Sequence, residues 1–263
     1  LTRADFEDRR RYLNVRRTVA ALHHLAVIPV VNENDSVAVE EIRFGDNDII
    51  AALISNLLGA DLLILLTVVE GLMADGAVLE TIQGADERVR RLAGSATSPL
   101  GTGGMASKLR AAKLVTDAGQ AALIANGRTR NVLLRLLAGE KIGTLLAPTG
   151  KRMASRKRWI GLAVRPAGRI VVDHGAAEAL RKGGKSLLPI GITAATGDFD
   201  RGDVVQITDA AGHPIAQGLV NYDAGELERI KGLRTDQLRA VLGRKCPEEV
   251  IHRNNLTLTD RGP

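Results

Sequence analysis

The chain holds one cysteine, Cys246. A disulfide framework within it is therefore excluded, as is a cysteine-rich zinc site, and a reducing, cytoplasmic setting is the simplest expectation. Aromatic residues make up only 2% of 263 residues, against 45% hydrophobic residues. The core must then be aliphatic, built from Leu, Ile, Val and Ala in the manner of α/β proteins. No uncharged apolar run reaches about eighteen residues, so no membrane-spanning helix is expected, and no signal peptide is legible. His23 and His24 are adjacent while His174, His213 and His252 are scattered. None has metal-ligand spacing, so no metal site built from protein ligands is expected. A GxSxG elbow is also missing.

Charge of one sign is scarce except in one place. The formal net charge is +6, yet residues 1–150 carry 17 Lys+Arg against 17 Asp+Glu. The segment KRMASRKR (151–158) supplies five positive charges, and residues 159–263 carry 14 against 13. The excess is a basic linker, not the charged face that a nucleic-acid partner needs. The sequence opens at Leu1 inside a charged helical stretch, TRADFEDRRRYLNVRRTVAALHH. That reads as the middle of a domain, and a preceding part is expected.

What is present alternates. AVIPVV (26–31), DLLILLT (61–67) and AALIAN (121–126) are short, apolar and flanked by turns, which predicts buried strands. IIAALISNLLGA (49–60) and MASKLRAAKLVTDAG (105–119) have apolar residues at helical spacing, and Gly59 and Gly119 stand where a helix C-cap belongs. Strand and helix in alternation predict parallel βαβ units, whose ligands bind beyond the carboxyl ends of the strands. The style changes near residue 147. Residues 148–158 read as the basic linker, 159–245 as a small β-rich domain with strands RIVVD, DVVQITD and HPIAQGLV and a helix at GAAEALRKG, and 246–263 as a tail.

Three polar clusters follow predicted strand ends: NENDS (32–36), FGDNDII (44–50) and GTGGMASK (101–108). GTGGMASK is not a Walker A loop, because its lysine is separated from the last glycine. Successive glycines and a helix N-terminus can still cradle phosphate oxygens, with Lys108 one turn in as a mobile charge. The alternative is a plain glycine-rich turn with a solvated lysine. Asp35, Asp46 and Asp48 can hold a metal through water or orient an amine. Asn32, Asn34 and Asn47 both donate and accept, which suits an amino acid ligand. Helix capping by Asp46 or Asn47 is the alternative for the second cluster.

Taken in order, IPVVNENDSV, RFGDNDIIAALISNLLGADLLILLT and LGTGGMASKLRAAKLVTDAG resemble the glutamate 5-kinase family. KRWIGLAVRPAGRIVVDHGAAEAL, SLLPIGITAATGDFDRGDVVQI and GHPIAQGLVNY resemble its C-terminal PUA domain. The resemblance implies an amino acid kinase-like αβα sandwich around a parallel-rich sheet, followed by a small β-rich PUA-like domain. It implies transfer of the γ-phosphate of ATP to the side-chain carboxylate of L-glutamate, with Mg²⁺ neutralising the triphosphate. Proline is the implied feedback inhibitor and a homo-oligomer the implied assembly. By motif position, Asp35 and Asn47 are implied to bind glutamate. Thr67, Val68, Thr102, Gly103, Gly104, Met105, Ala106, Ser107 and Lys108 are implied to bind the nucleotide, with Lys108 stabilising the transferred phosphoryl group. Two departures stand out. The family's amino-terminal segment, with a lysine and a Gly-Ser loop at the phosphates, is not in this sequence, so little or no turnover is expected from the chain alone. Val68 stands where the family usually has an acid. These departures favour a second reading, an impaired remnant of such a kinase. A third, an RNA-binding module, has only the PUA resemblance behind it.

Overall fold

The computed structural model describes residues 1–34, 47–74, 76–83, 104–148 and 150–259. They divide into two compact units, Leu1–Ser155 and Arg156–Pro263.

The first unit opens with α1 (Ala4–Glu7) and α2 (Arg9–His24), and Asp8 caps α2 by accepting from the Arg11 amide at 2.7 Å. Helix α3 (Asn47–Leu58) buries Ile49, Ile50, Leu53 and Leu57, one apolar stripe at helical spacing. It stops at Gly59, whose φ of 70° is the left-handed value that favours glycine at a helix end. Strand β1 (Leu62–Thr67) follows at once. Two short strands, β2 (Met73–Ala74) and β3 (Ala77–Val78), form an antiparallel ribbon, and β4 (Thr81–Gln83) comes next. Helix α4 (Gly104–Thr116) repeats the earlier pattern. It buries Leu109, Ala112 and Val115, ends in a turn at Gly119 (φ 81°), and feeds β5 (Ala121–Asn126). Helix α5 (Val132–Leu137) and strand β6 (Thr144–Ala147) complete the unit.

Its sheet runs β1-β5-β6-β4. β1 and β5 are parallel from Leu62↔Ala121 to Thr67↔Asn126, β4 and β6 are parallel, and β5 and β6 are antiparallel. This is the parallel-rich sheet with helices that the sequence implies. One expectation is corrected. Residues 26–31 form no strand: Ile28 and Val30 are 87% and 98% exposed, and the chain leaves α2 through a left-handed Ala26 (φ 56°). A strand exists only where its amide and carbonyl groups find a ladder, and among the described residues none pairs with this run.

The residues expected as a basic linker are held at both ends. The Met153 amide donates to the Ala118 carbonyl at 3.0 Å in the first unit. In the second, Arg156 donates to Asn255 at 2.9 Å and the Lys157 carbonyl accepts from Thr257 at 3.1 Å. Ser155–Arg158 is a helical turn, α6, which runs into a π-turn at Trp159–Ala163, and Arg158 is buried. The aliphatic stem of arginine packs as a hydrophobe does, which a charge count does not register.

The second unit is β7 (Gly168–Val172), α7 (His174–Arg181), β8 (Ile192–Gly197), β9 (Val204–Thr208), β10 (Pro214–Leu219), α8 (Ala224–Ile230), α9 (Leu238–Leu242) and β11 (Leu256–Leu258). Its sheet runs β11-β10-β9-β7-β8, with only β7 and β9 parallel. Ile170, Val205, Ile207, Ile215, Tyr222 and Leu227 form its core. The stretch expected as a tail beyond residue 245 belongs to this body instead. Val250 and Ile251 are fully buried and β11 pairs with β10, because the edge of β10 offers the ladder that those residues need. Asp173 caps α7 by accepting from the Ala176 amide at 2.7 Å. Asp173→Ala is expected to cost about 1 kcal/mol, read as a lower midpoint in a denaturant titration with an unchanged slope.

Candidate nucleotide and glutamate site

Helix α3 precedes β1 and helix α4 precedes β5, each through a tight turn. Both helices therefore run against parallel strands, and both begin at the strands' carboxyl ends. The two helices pack side by side, clasped at the far end by polar groups. Asn56 donates to the Leu114 carbonyl at 3.0 Å, and Gln120 donates to the Ser55 carbonyl at 3.2 Å. That clasp sets the register of α3 against α4 and brings their N-termini together. Two N-termini with unsatisfied amides make a positive corner at the edge where such sheets bind ligands.

The side chains in that corner are specific. Lys108, in the second turn of α4, places Nζ 3.0 and 3.2 Å from the two carboxylate oxygens of Asp48 in the first turn of α3. The pair is mostly buried, with side-chain exposures of 14% and 21%. An ion pair so sheltered is screened far less than a surface pair. Lys108 is thus not a solvated lysine after a turn; its ammonium is held at one point. Of the three acids with which sequence reasoning could orient an amine, Asp48 alone lies among the described residues, and it orients one here. Its partner lies 60 residues away in sequence, and no local signal identifies it.

Asn47, the first residue of α3, is exposed, and its Oδ1 accepts from the Glu33 amide at 3.2 Å. That bond ties the loop after α2 to the start of α3. Its amide nitrogen, a donor, has no partner among the described residues. Gly104 begins α4, and a Cβ built there would meet nothing within 4 Å among the described residues. Met105, Ala106 and Ser107 continue the first turn, with Ser107 buried. Thr67 closes β1, and its carbonyl accepts from the Gly127 amide at 2.8 Å. Val68 follows, 66% exposed. Asp35, Thr102 and Gly103 lie outside the described residues. The structure thus brings Asn47, Asp48, Thr67, Val68 and residues 104–108 to one end of the first unit.

Residues 1–126 match the amino acid kinase family and residues 168–242 match the PUA domain. Glutamate 5-kinase of Caldanaerobacter subterraneus subsp. tengcongensis is 48% identical over 269 residues, covering 100% of this chain and 72% of that protein. The chain belongs to the glutamate 5-kinase family. Other glutamate 5-kinases align over nearly the same length: that of Dictyoglomus turgidum is 47% identical over 270 residues (100% of this chain, 72% of the relative), and that of Moorella thermoacetica is 48% identical over 263 (97% and 70%). Identity at this level across both units is consistent with a glutamate 5-kinase fold of amino acid kinase and PUA domains. Among the described residues no helix is long and apolar enough to cross a membrane.

Proposed function

We propose that this protein transfers the γ-phosphoryl group of ATP to the side-chain carboxylate of L-glutamate, the first step of proline biosynthesis. The observation that carries the reading is the Asp48–Lys108 pair at the joint N-termini of α3 and α4. A carboxylate oxygen of glutamate attacks the γ-phosphorus, a new O–P bond forms, the bond to the β-phosphate oxygen breaks, and ADP leaves with γ-glutamyl phosphate as the other product. Such a transfer needs positioning and positive charge, not a nucleophile from the protein. Lys108, aimed by Asp48, supplies charge where it builds up on the transferred group. The amides of residues 104–107, with Thr102 and Gly103 before them, supply donors to phosphate oxygens. Asn47, oriented by the Glu33 amide, offers its NH₂ to a glutamate carboxylate, and Asp35 is the proposed partner of the substrate ammonium. Thr67 and Val68 border the nucleoside.

Mg²⁺ is proposed as the counter-ion of the triphosphate. Among the described residues no three His, Cys, Asp or Glu side chains converge as a cage, and Asp48 is already engaged by Lys108. That fits an ion held by phosphate oxygens and water, the usual manner of Mg²⁺. Bound there, it would neutralise the triphosphate. Chelation with EDTA is accordingly expected to abolish turnover and excess Mg²⁺ to restore it.

The reading is tested by glutamate- and ATP-dependent formation of γ-glutamyl hydroxamate in the presence of hydroxylamine, by the protein with its native upstream sequence restored. No product above a reaction lacking glutamate would count against it. Asp48→Asn is expected to lower kcat about tenfold to a hundredfold, because Lys108 then loses its anchor by an ångström or so. Proline as inhibitor, a homo-oligomer and a cytoplasmic setting extend the same proposal. RNA is no part of it, since residues 159–263 are nearly neutral, with 14 Lys+Arg against 13 Asp+Glu.

A further inference from the structure

The loop that leaves β1 is Val68, Val69, Glu70 and Gly71, and it stands at the same sheet edge as the loop that leaves β5, since the two strands are parallel and end together at Thr67↔Asn126. Val68 and Val69 are 66% and 41% exposed and can offer a ligand only a nonpolar face. Glu70 is also exposed, but it is held: its Oε1 accepts from Nδ2 of Asn126 at 2.6 Å. The orientation of that amide is set independently, because Asn126 Oδ1 accepts from the Arg128 backbone amide at 2.9 Å. The amide nitrogen is therefore the atom that must face the carboxylate. Glu70 is left with a second oxygen, Oε2, that has no partner among the described residues. A carboxylate fixed through one oxygen and open at the other is a preorganised acceptor.

We propose that Glu70 binds the nucleoside half of ATP, accepting a hydrogen bond from a donor on it. The inference rests on the nucleotide reading of this edge given above. Charge decides which half: the phosphates are repelled by a carboxylate and drawn to the N-terminus of α4 and Lys108. The donors that ATP has left are the ribose hydroxyls and the 6-amino group of the base. The exposed valines supply the nonpolar face on which a base can lie.

The test is a calorimetric titration of the full chain, and of its Glu70→Ala and Glu70→Gln variants, with ATP, 2′,3′-dideoxy-ATP and inosine triphosphate. Glu70→Ala is expected to weaken ATP binding about tenfold to a hundredfold, the usual scale for a hydrogen bond to a charged group. Glu70→Gln, which keeps a neutral acceptor, should lose less. If a ribose hydroxyl is the donor, the unaltered chain prefers ATP over the dideoxy nucleotide and Glu70→Ala erases that preference. If the 6-amino group is the donor, the preference over inosine triphosphate is the one erased. A carboxylate that only staples the two loops would weaken all three nucleotides equally in Glu70→Ala, and that result overturns the proposal. Unchanged ATP binding in Glu70→Ala overturns it as well, while leaving the nucleotide site standing. An unaltered chain that binds none of the three removes the nucleotide reading itself, and Glu70's part with it.

Discussion

Lys108→Ala is expected to lower γ-glutamyl hydroxamate formation about 10²–10³-fold, the range seen when one preorganised charge-stabilising donor is removed from a reaction of this kind. Nucleotide affinity should fall much less, because on the proposed reading the ground-state triphosphate would keep the helix amides and a Mg²⁺ counter-ion. A loss confined to kcat would place Lys108 on the transferring group; an equal loss in kcat/KM with kcat intact would place it on the ground state instead. The substitution also strands Asp48, whose side chain is 21% exposed, so a stability effect is expected beside the catalytic one. Lys108→Arg separates the two. It keeps the charge and the partner for Asp48 but puts a planar fork where a compact ammonium stood. It should recover stability and little of the turnover.

Gly143→Ala is expected to destabilise the first unit by about 2–5 kcal/mol, the sum of a left-handed backbone that L-residues resist and overpacking of a filled interior. Gly143 has φ 80°, and a Cβ there would lie 2.1 Å from the Ile124 carbonyl oxygen and 2.9 Å from the Ala125 Cβ. Ile124 and Ala125 are fully buried in β5 and cannot recede. The next residue, Thr144, is fully buried and accepts from the Leu72 amide at 2.8 Å, so a shift of Gly143 also loosens the loop after β1. Gly139→Ala is the control. Its φ of 88° is equally left-handed, but a Cβ there meets nothing within 4 Å. It should cost only the backbone share, about 1–2 kcal/mol. Denaturant midpoints at constant slope would compare the two, and equal costs would show that the contact with β5 is not as tight as the geometry gives it.

Much of the fold was legible because it is written in local periodicity. Residues 49–60 and 105–119 carry a 3.6-residue apolar pattern and terminal glycines, and helices α3 (47–58) and α4 (104–116) occupy them to within three residues at each end. DLLILLT and AALIAN became β1 and β5, and the alternating pieces of the second unit became β7, β9 and β10. The run 26–31 went otherwise. Its composition is as strand-like as that of β1, but strand formation depends on a neighbour, and composition says nothing of neighbours. The same gap hid β11, which exists because β10 had an open edge, and the packing of the basic stretch 151–158, whose composition and charge read as a linker.

By itself the sequence determined the family, the order of the two units, and which residues crowd the ends of strands: Asn47, Asp48, Thr67, Val68 and the turn leading to Lys108. Those are matters of residue type and spacing along one chain. The tertiary structure alone decided what they do to one another. Asp48 takes the ammonium of Lys108 from 60 residues away, and Asn126 holds Glu70 across 56. Such pairs form only when parallel strands bring two helix starts and two loop starts to one edge. The distances that matter there are set by the sheet and not by the separation along the chain.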